Sequence, residues 1–195
     1  MTSVANIRIV TREDEERIAA IIILSFSTDP MVRWALPAAH QYIDGFLPFV
    51  GAYAGKAYDH DSAYVTDDFS GAALWLPPGV RPDDEAMAAV FQEKVAEPRL
   101  GTLFSIYAQL EDYHPKEQYW FLPIIGVDPS RQGSGYGSAL MKHALLACDR
   151  DRKPAYLESS NTANLSLYER HGFEILGEVS EAGSPPTYPM LRKAR

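Results

Sequence analysis

Two short blocks in the second half of this chain hold the residue types and spacings that could do chemistry. The first, Arg131-Gln132-Gly133-Ser134-Gly135-Tyr136-Gly137-Ser138, lies between an apolar run, Tyr119 to Val127, and a helical pattern, Ser138 to Cys148. Glycines at alternate positions keep side chains out of the turn, so its backbone N–H groups can crowd around an anion. The positive end of the following helix points at the same spot. That is the chemistry of a phosphate cradle. The second block runs from Leu157-Glu158 through Asn164 and Tyr168 to Gly172-Phe173. Asn164 and Tyr168 stand four residues apart and share one helix face. Together they offer an amide and a phenol, the latter a possible proton donor.

Spacing narrows the choice of phosphate. A nucleoside-triphosphate loop ends in Gly-Lys-Ser/Thr, whereas Gly137 is followed by Ser138 and Ala139. The dinucleotide fingerprint needs a glycine three positions after its second one, and Ser138 stands there. From Pro129 to Lys153, five basic residues (Arg131, Lys142, Arg150, Arg152, Lys153) face two acidic ones (Asp149, Asp151), a local net charge of +3 in a chain of −8. Such a patch suits an anionic ligand, although Arg150, Arg152 and Lys153 equally suit a helix C-terminus.

Gln132-x-x-Gly135-x-Gly137, entered through Val127 and Pro129, resembles the acetyl-CoA-binding signature of the GNAT superfamily of N-acetyltransferases. The block from Asn164 to Gly172-Phe173 is similar to that family's downstream motif, in the right order and at the right distance. The resemblance covers roughly Tyr119 to Val179. The wording of the second block, with the Gly-Val-Asp-Pro approach, looks most like antibiotic-acetylating members of the puromycin type. The resemblance implies acetyl-CoA as cosubstrate and no metal. It also implies that residues 131–138 hold the pyrophosphate, that Asn164 contacts the coenzyme, and that Tyr168 protonates the leaving thiolate. Ile125, Gly126 and Val127 would pair with the pantetheine arm and offer an N–H to the acetyl oxygen. Pro123 cannot donate, and Gly126 is expected to mark a bulge that opens room for that arm.

Direct transfer requires a neutral amine, an oxyanion donor, a proton for the thiolate and both substrates held together. For the base, Glu158, His114 and a water chain remain open, because Tyr119 to Val127 carries no carboxylate. Phe26, Asp29, Trp34, Trp75, Tyr113 and His114 are the candidates for the amine pocket, being aromatic, acidic or basic residues near breaks in regular structure. A protein acetyltransferase and a non-catalytic acyl-CoA sensor are the rival readings.

These residues need a scaffold, and the pattern supplies one. Strands are expected at Ile7 to Val10, Ala63 to Thr66, Gly71 to Leu76, Tyr119 to Val127 and Ala155 to Glu158, with a terminal pair at Glu174 to Val179 and Thr187 to Leu191. Helices are expected from the Thr11 cap to Ser25, from Pro82 to about Ala96, from Thr102 to Asp112, from Ser138 to Cys148 and from Asn161 to Arg170. Met31 to Val50 reads as helical pieces broken by Pro37 and Pro48 and packed over the sheet, expected to form the floor or lid of a pocket. The strand–helix–strand–helix order predicts a mixed α/β fold. The resemblance specifies it as a single domain, residues 1–195, with a twisted sheet of six or seven strands splayed at a parallel pair. Residues 1–118 would form the acceptor side and 119–195 the coenzyme side.

Composition sets the remaining bounds. At 195 residues and 46% hydrophobic the chain can bury a substantial core. A net charge of −8 argues against nucleic acid or a membrane surface as partner. The single cysteine, Cys148, excludes an internal disulfide and reads as a structural thiol. No apolar run reaches the roughly 20 residues of a membrane span. Met1 to Asn6 lacks a leader pattern, so a cytoplasmic monomer or homodimer is expected.

Overall fold

The computed structural model describes residues 6–195; the leader reading above falls almost wholly on residues 1–5, which lie outside them. Strand β1 spans Ile7–Ile9 and is followed by a 3-10 turn at Arg12–Asp14 and helix α1, Glu15–Phe26. Ile18, Ile21 and Ile22 recur at helical spacing on α1 and are buried. Each such burial contributes about 1.5–3 kcal/mol. Helix α2, Pro30–Ala35, is capped by Asp29, whose carboxylate accepts from the Val32 N–H at 3.0 Å.

Helix α3 runs unbroken from Ala39 to Ala54, so Pro37 separates two helices but Pro48 does not break the second. Pro48 is exposed, and the carbonyl it leaves unpaired belongs to Asp44, also exposed, where water serves as partner. Phe46, Val50 and Tyr53 anchor the other face. Strands β2, Ala63–Thr66, and β3, Gly71–Leu76, form the expected hairpin. Helix α4 spans Asp84–Lys94, and helix α5 spans Glu97–Glu111. The latter begins five residues earlier than the pattern implied, because Pro98 sits in its first turn, where no N–H partner is needed.

Strand β4, Trp120–Val127, leads through the glycine loop into helix α6, Tyr136–Asp151. Strand β5, Ala155–Ser159, precedes a 3-10 turn at Thr162–Asn164 and helix α7, Leu165–Arg170. Gly172 follows at φ +89°, the left-handed position that favours glycine. Strand β6 is only Glu174–Ile175; it pairs with β7, Tyr188–Arg192, and a bridge at Val179↔Thr187 continues the contact.

One seven-stranded sheet orders these strands β1-β2-β3-β4-β5-β7-β6. Every pairing is antiparallel except β4 with β5. One core lies between the sheet and α1–α5 and includes Ile22, Phe46 and Phe121. A second lies under α6 and α7 and includes Trp75, Met141 and Tyr168. The bulge sits in β4 at Leu122-Pro123 rather than at Gly126. Phe121 faces Leu76 and Ile124 faces Leu74, so two residues of β4 oppose Trp75 alone. Gly126 serves a different need: a Cβ there would lie 2.1 Å from the Ser25 hydroxyl of α1.

Candidate active site

The parallel pairing of β4 with β5 consists of Trp120↔Ala155, Phe121↔Tyr156 and Leu122↔Leu157. The next residue, Pro123, has no N–H to continue the ladder. Past it the strands part, and two cavities open on the gap.

The larger cavity, about 460 Å³, is lined by twelve of the thirteen residues expected to meet the coenzyme. These are Ile125, Gly126, Val127, Arg131, Gln132, Gly133, Gly135, Tyr136, Gly137, Ser138, Asn164 and Tyr168. Ser134 is not among its walls. Gly133 and Gly135 hold φ of +75° and +91°, which a side chain would strain. Gly135 caps α6 with no side-chain acceptor, so the N–H groups of its first turn face the cavity without a side-chain partner. Two supports hold the loop: Gln132 Nε2 donates to the Val127 carbonyl at 3.2 Å, and the Tyr136 hydroxyl donates to Asp68 at 2.8 Å. A backbone cradle at a helix N-terminus, with Arg131 beside it, fits a pyrophosphate. Arg170 also lines the cavity. It stands two residues before Gly172-Phe173, so the block that contains it was visible although its role was not.

Tyr168 is 5% exposed and packs edge-on against Phe173, ring centroids 6.3 Å apart. Burial, followed by the nearby charge of Asp29, raises its ionisation above the ordinary phenol range. The hydroxyl is therefore a proton donor at neutral pH. Asp29 lines the same cavity, yet its carboxylate is already engaged, accepting from Val32 N–H and from Ser160 Oγ at 2.7 Å. It ties the start of α2 to the end of β5, and burial raises its pKa.

The smaller cavity, about 70 Å³, is aromatic and contains one carboxylate. Phe26, Phe46, Phe49, Tyr53 and Tyr107 wall it, with Pro123 and Glu158 at the gap. The rings form a connected set: Phe26–Phe46 at 5.2 Å, Phe49–Tyr53 at 5.0 Å and Tyr53–Tyr107 edge-on at 6.3 Å. Glu158 Oε2 accepts from the Tyr53 hydroxyl at 2.7 Å. Its Oε1 meets the Tyr156 hydroxyl at 3.2 Å and His114 Nε2 at 3.0 Å. While Glu158 is ionised it only accepts, so Nε2 carries the proton and Nδ1 accepts from Tyr119. Burial raises the ionisation of both Tyr53 and Tyr156, with Glu158 as a further cause, keeping them as donors.

The other expected acceptor residues divide. Phe26 lines both cavities, and His114 reaches Glu158. Trp34 lies under Arg99, and Tyr113 packs over Gly177, neither lining a cavity described here. Trp75 is fully buried beneath α6, on the opposite side of the sheet from the aromatic cavity. Strand parity puts it there, and β3 is buried on both faces, so nothing in its sequence marks the parity. Phe46 and Phe49 fall in the Met31 to Val50 stretch expected to floor or cover a pocket; Tyr53 and Tyr107 were not singled out for the site, and their sequence trace is aromatic residues at helical spacing. Cys148 is buried, and burial pushes its thiol up to about 12, which suits packing and not nucleophilic attack.

A glycine loop at a helix N-terminus, set where a parallel strand pair splays, defines an acyl-coenzyme-type transferase fold. Comparison with known proteins agrees. The family model described as an acetyltransferase (GNAT) domain matches residues 101–175. An uncharacterised N-acetyltransferase of Schizosaccharomyces pombe is 31% identical over 184 residues, covering 84% of this chain and 72% of that protein. Among solved structures, one described as histone acetyltransferase HPA2 and related acetyltransferase from Corynebacterium glutamicum superposes with a TM-score of 0.71 at 22% identity, covering 99% and 98% of the two chains. A chain of the NatC complex bound to Gag peptide and CoA matches with a TM-score of 0.58 at 13% identity, covering 99% of this chain and 100% of that one. The chain belongs to the GNAT family of N-acetyltransferases and is an acyltransferase. Among the described residues, no helix is long and apolar enough to cross a membrane, and no group of three His, Cys, Asp or Glu side chains gathers as a metal site.

Proposed function

We propose that the protein moves an acetyl group from acetyl-CoA to the primary amine of a small molecule, directly, with both substrates bound at once. One observation carries this reading: the glycine-loop cavity and the aromatic cavity open on the same gap and share Phe26 as a wall. The N–H groups of α6 and the loop hold the pyrophosphate, with Arg131 and Arg170 beside them. Ile125 to Val127, paired with β3 on one edge and without a strand partner on the edge toward β5, offers backbone partners to the pantetheine arm and an N–H to the developing oxyanion.

Glu158 receives the amine as its ammonium, takes one proton and leaves the nitrogen lone pair free. The nitrogen attacks the thioester carbon and the C–N bond forms, the nitrogen gives its second proton to water, and the C–S bond breaks. Tyr168 gives its proton to the departing thiolate and recovers it from solvent. Glu158 passes the proton taken from the amine to water, while His114, donating through Nε2 and accepting from Tyr119 through Nδ1, holds the carboxylate in place. In this reading residues 1–195 work as one domain. The acceptor side comes mostly from residues 1–118, but Glu158 and Ser160 reach into it from the other half, and Ser25 and Phe26 line the coenzyme cavity.

The NatC neighbour was solved with both peptide and CoA, which supports a CoA site on this fold and raises peptide as the alternative acceptor. A small cavity walled by rings favours a free amine over a chain. Thiol release from acetyl-CoA should appear with free amines and be absent with a lysine peptide. An aminonucleoside belongs in that panel, because the sequence blocks resemble puromycin-type members. Release with peptide alone would overturn the small-molecule reading.

A further inference from the structure

We infer that the acceptor is a primary amine with a single positive charge on an apolar tail, and that diamines and polyamines are excluded; this rests on the small-amine reading above. The aromatic cavity shares part of its wall with a neighbouring cavity. Met31, Val32, Phe46, Phe49, Leu103 and Tyr107 also line a second cavity of about 50 Å³. Ala35, Leu36, Phe91 and Val95 enclose that second space. At roughly 10–15 Å³ per water-sized sphere, each cavity has room for a short string of heavy atoms. Phe49 stands at the junction, stacked on Phe91 at 5.5 Å and on Tyr53 at 5.0 Å.

Charge is distributed unevenly along this path. Among the described residues, Glu158 is the only carboxylate lining the first cavity, beside the gap where the reacting nitrogen must sit. Two phenols and His114 occupy three of its lone-pair positions, leaving one direction on Oε2 for an ammonium. Among the described residues, the only charged one lining the second cavity is Lys94. Its carboxylate neighbours, Glu93 at 2.7 Å and Asp44, do not line that space. A second ammonium carried inward would lose its water against rings and aliphatic walls and meet a lysine at the far end. An apolar tail gains from the same walls.

The test is kcat/KM for the wild-type protein with primary n-alkylamines from propyl to octyl, and with hexylamine against 1,6-diaminohexane. Spermidine and a lysine peptide complete the set. The expected result is a rise of roughly fourfold per methylene until the tail space is full. The diamine should fall roughly a hundredfold below hexylamine. Ala35→Leu, which narrows only the second cavity, should move the optimum to shorter amines. A flat series, or a diamine as good as hexylamine, overturns the inference and leaves the small-amine reading standing. Turnover of nothing in the set overturns the inference, and turnover of peptide alone overturns both.

Discussion

The two sides of the β4–β5 gap are built by different means. The coenzyme side is made of backbone: a turn that needs positive φ at Gly133 and Gly135, and a helix end whose N–H groups no side chain caps. The acceptor side is made of side chains, with rings from α1, α3 and α5 arranged over one carboxylate from β5. A backbone site binds any ligand presenting the same phosphates. A side-chain site binds what its particular walls admit. In the proposed reaction the first holds the coenzyme and the second selects the amine.

Substitutions on either side should separate these roles. Tyr168→Phe is expected to have the largest effect, lowering kcat roughly 10²–10⁴-fold while the calorimetric Kd for acetyl-CoA stays unchanged. An unaltered kcat would remove Tyr168 from the chemistry. Glu158→Gln keeps the shape but loses the charge, and kcat/KM for the amine should fall about a hundredfold. The KM for acetyl-CoA should not follow it; a coenzyme defect of equal size would blur the division between the two sides.

Gly126→Ala acts on both sides, because its methyl would run into Ser25, which α1 presses against β4. A stability loss of about 1–3 kcal/mol is expected in chemical denaturation, and none at all would mean that α1 moves aside freely. The smallest effect belongs to Asp68, which anchors Tyr136 at the start of α6. Desolvation works to raise its pKa, but hydrogen bonds from Tyr136, Thr66 and Ser70 outweigh it and hold the carboxyl at about 2, below the ordinary 3.8. A depressed carboxyl stabilises the fold above its unfolded value and loses that contribution as pH falls through its folded one. The urea midpoint of the wild-type protein should therefore drop more steeply between pH 5 and pH 2 than that of Asp68→Asn.

The same contrast explains what could be read before the structure. Gln132 to Gly137 and Asn164 to Tyr168 were legible because a turn and a short helix fix their geometry by spacing alone. The hairpin at Ala63 to Leu76 and the Gly172 cap were legible for the same local reason. Of the acceptor pocket only Phe26 and Glu158 were singled out beforehand; Phe46, Tyr53 and Tyr107 are scattered through the chain and only tertiary packing gathers them. Trp75 and Trp34 have the composition of pocket residues, but strand parity sends the first to the opposite core. Pro48 misled in a comparable way: whether a proline ends a helix depends on which side its missing hydrogen bond faces, and Pro48 faces water.

The central claim is that both substrates meet at this gap and that acetyl passes between them without resting on the protein. Initial velocities measured while acetyl-CoA and a turned-over amine are varied together test it most directly. Double-reciprocal lines that intersect are the predicted result. Parallel lines, the pattern of an acetylated enzyme intermediate, would contradict it.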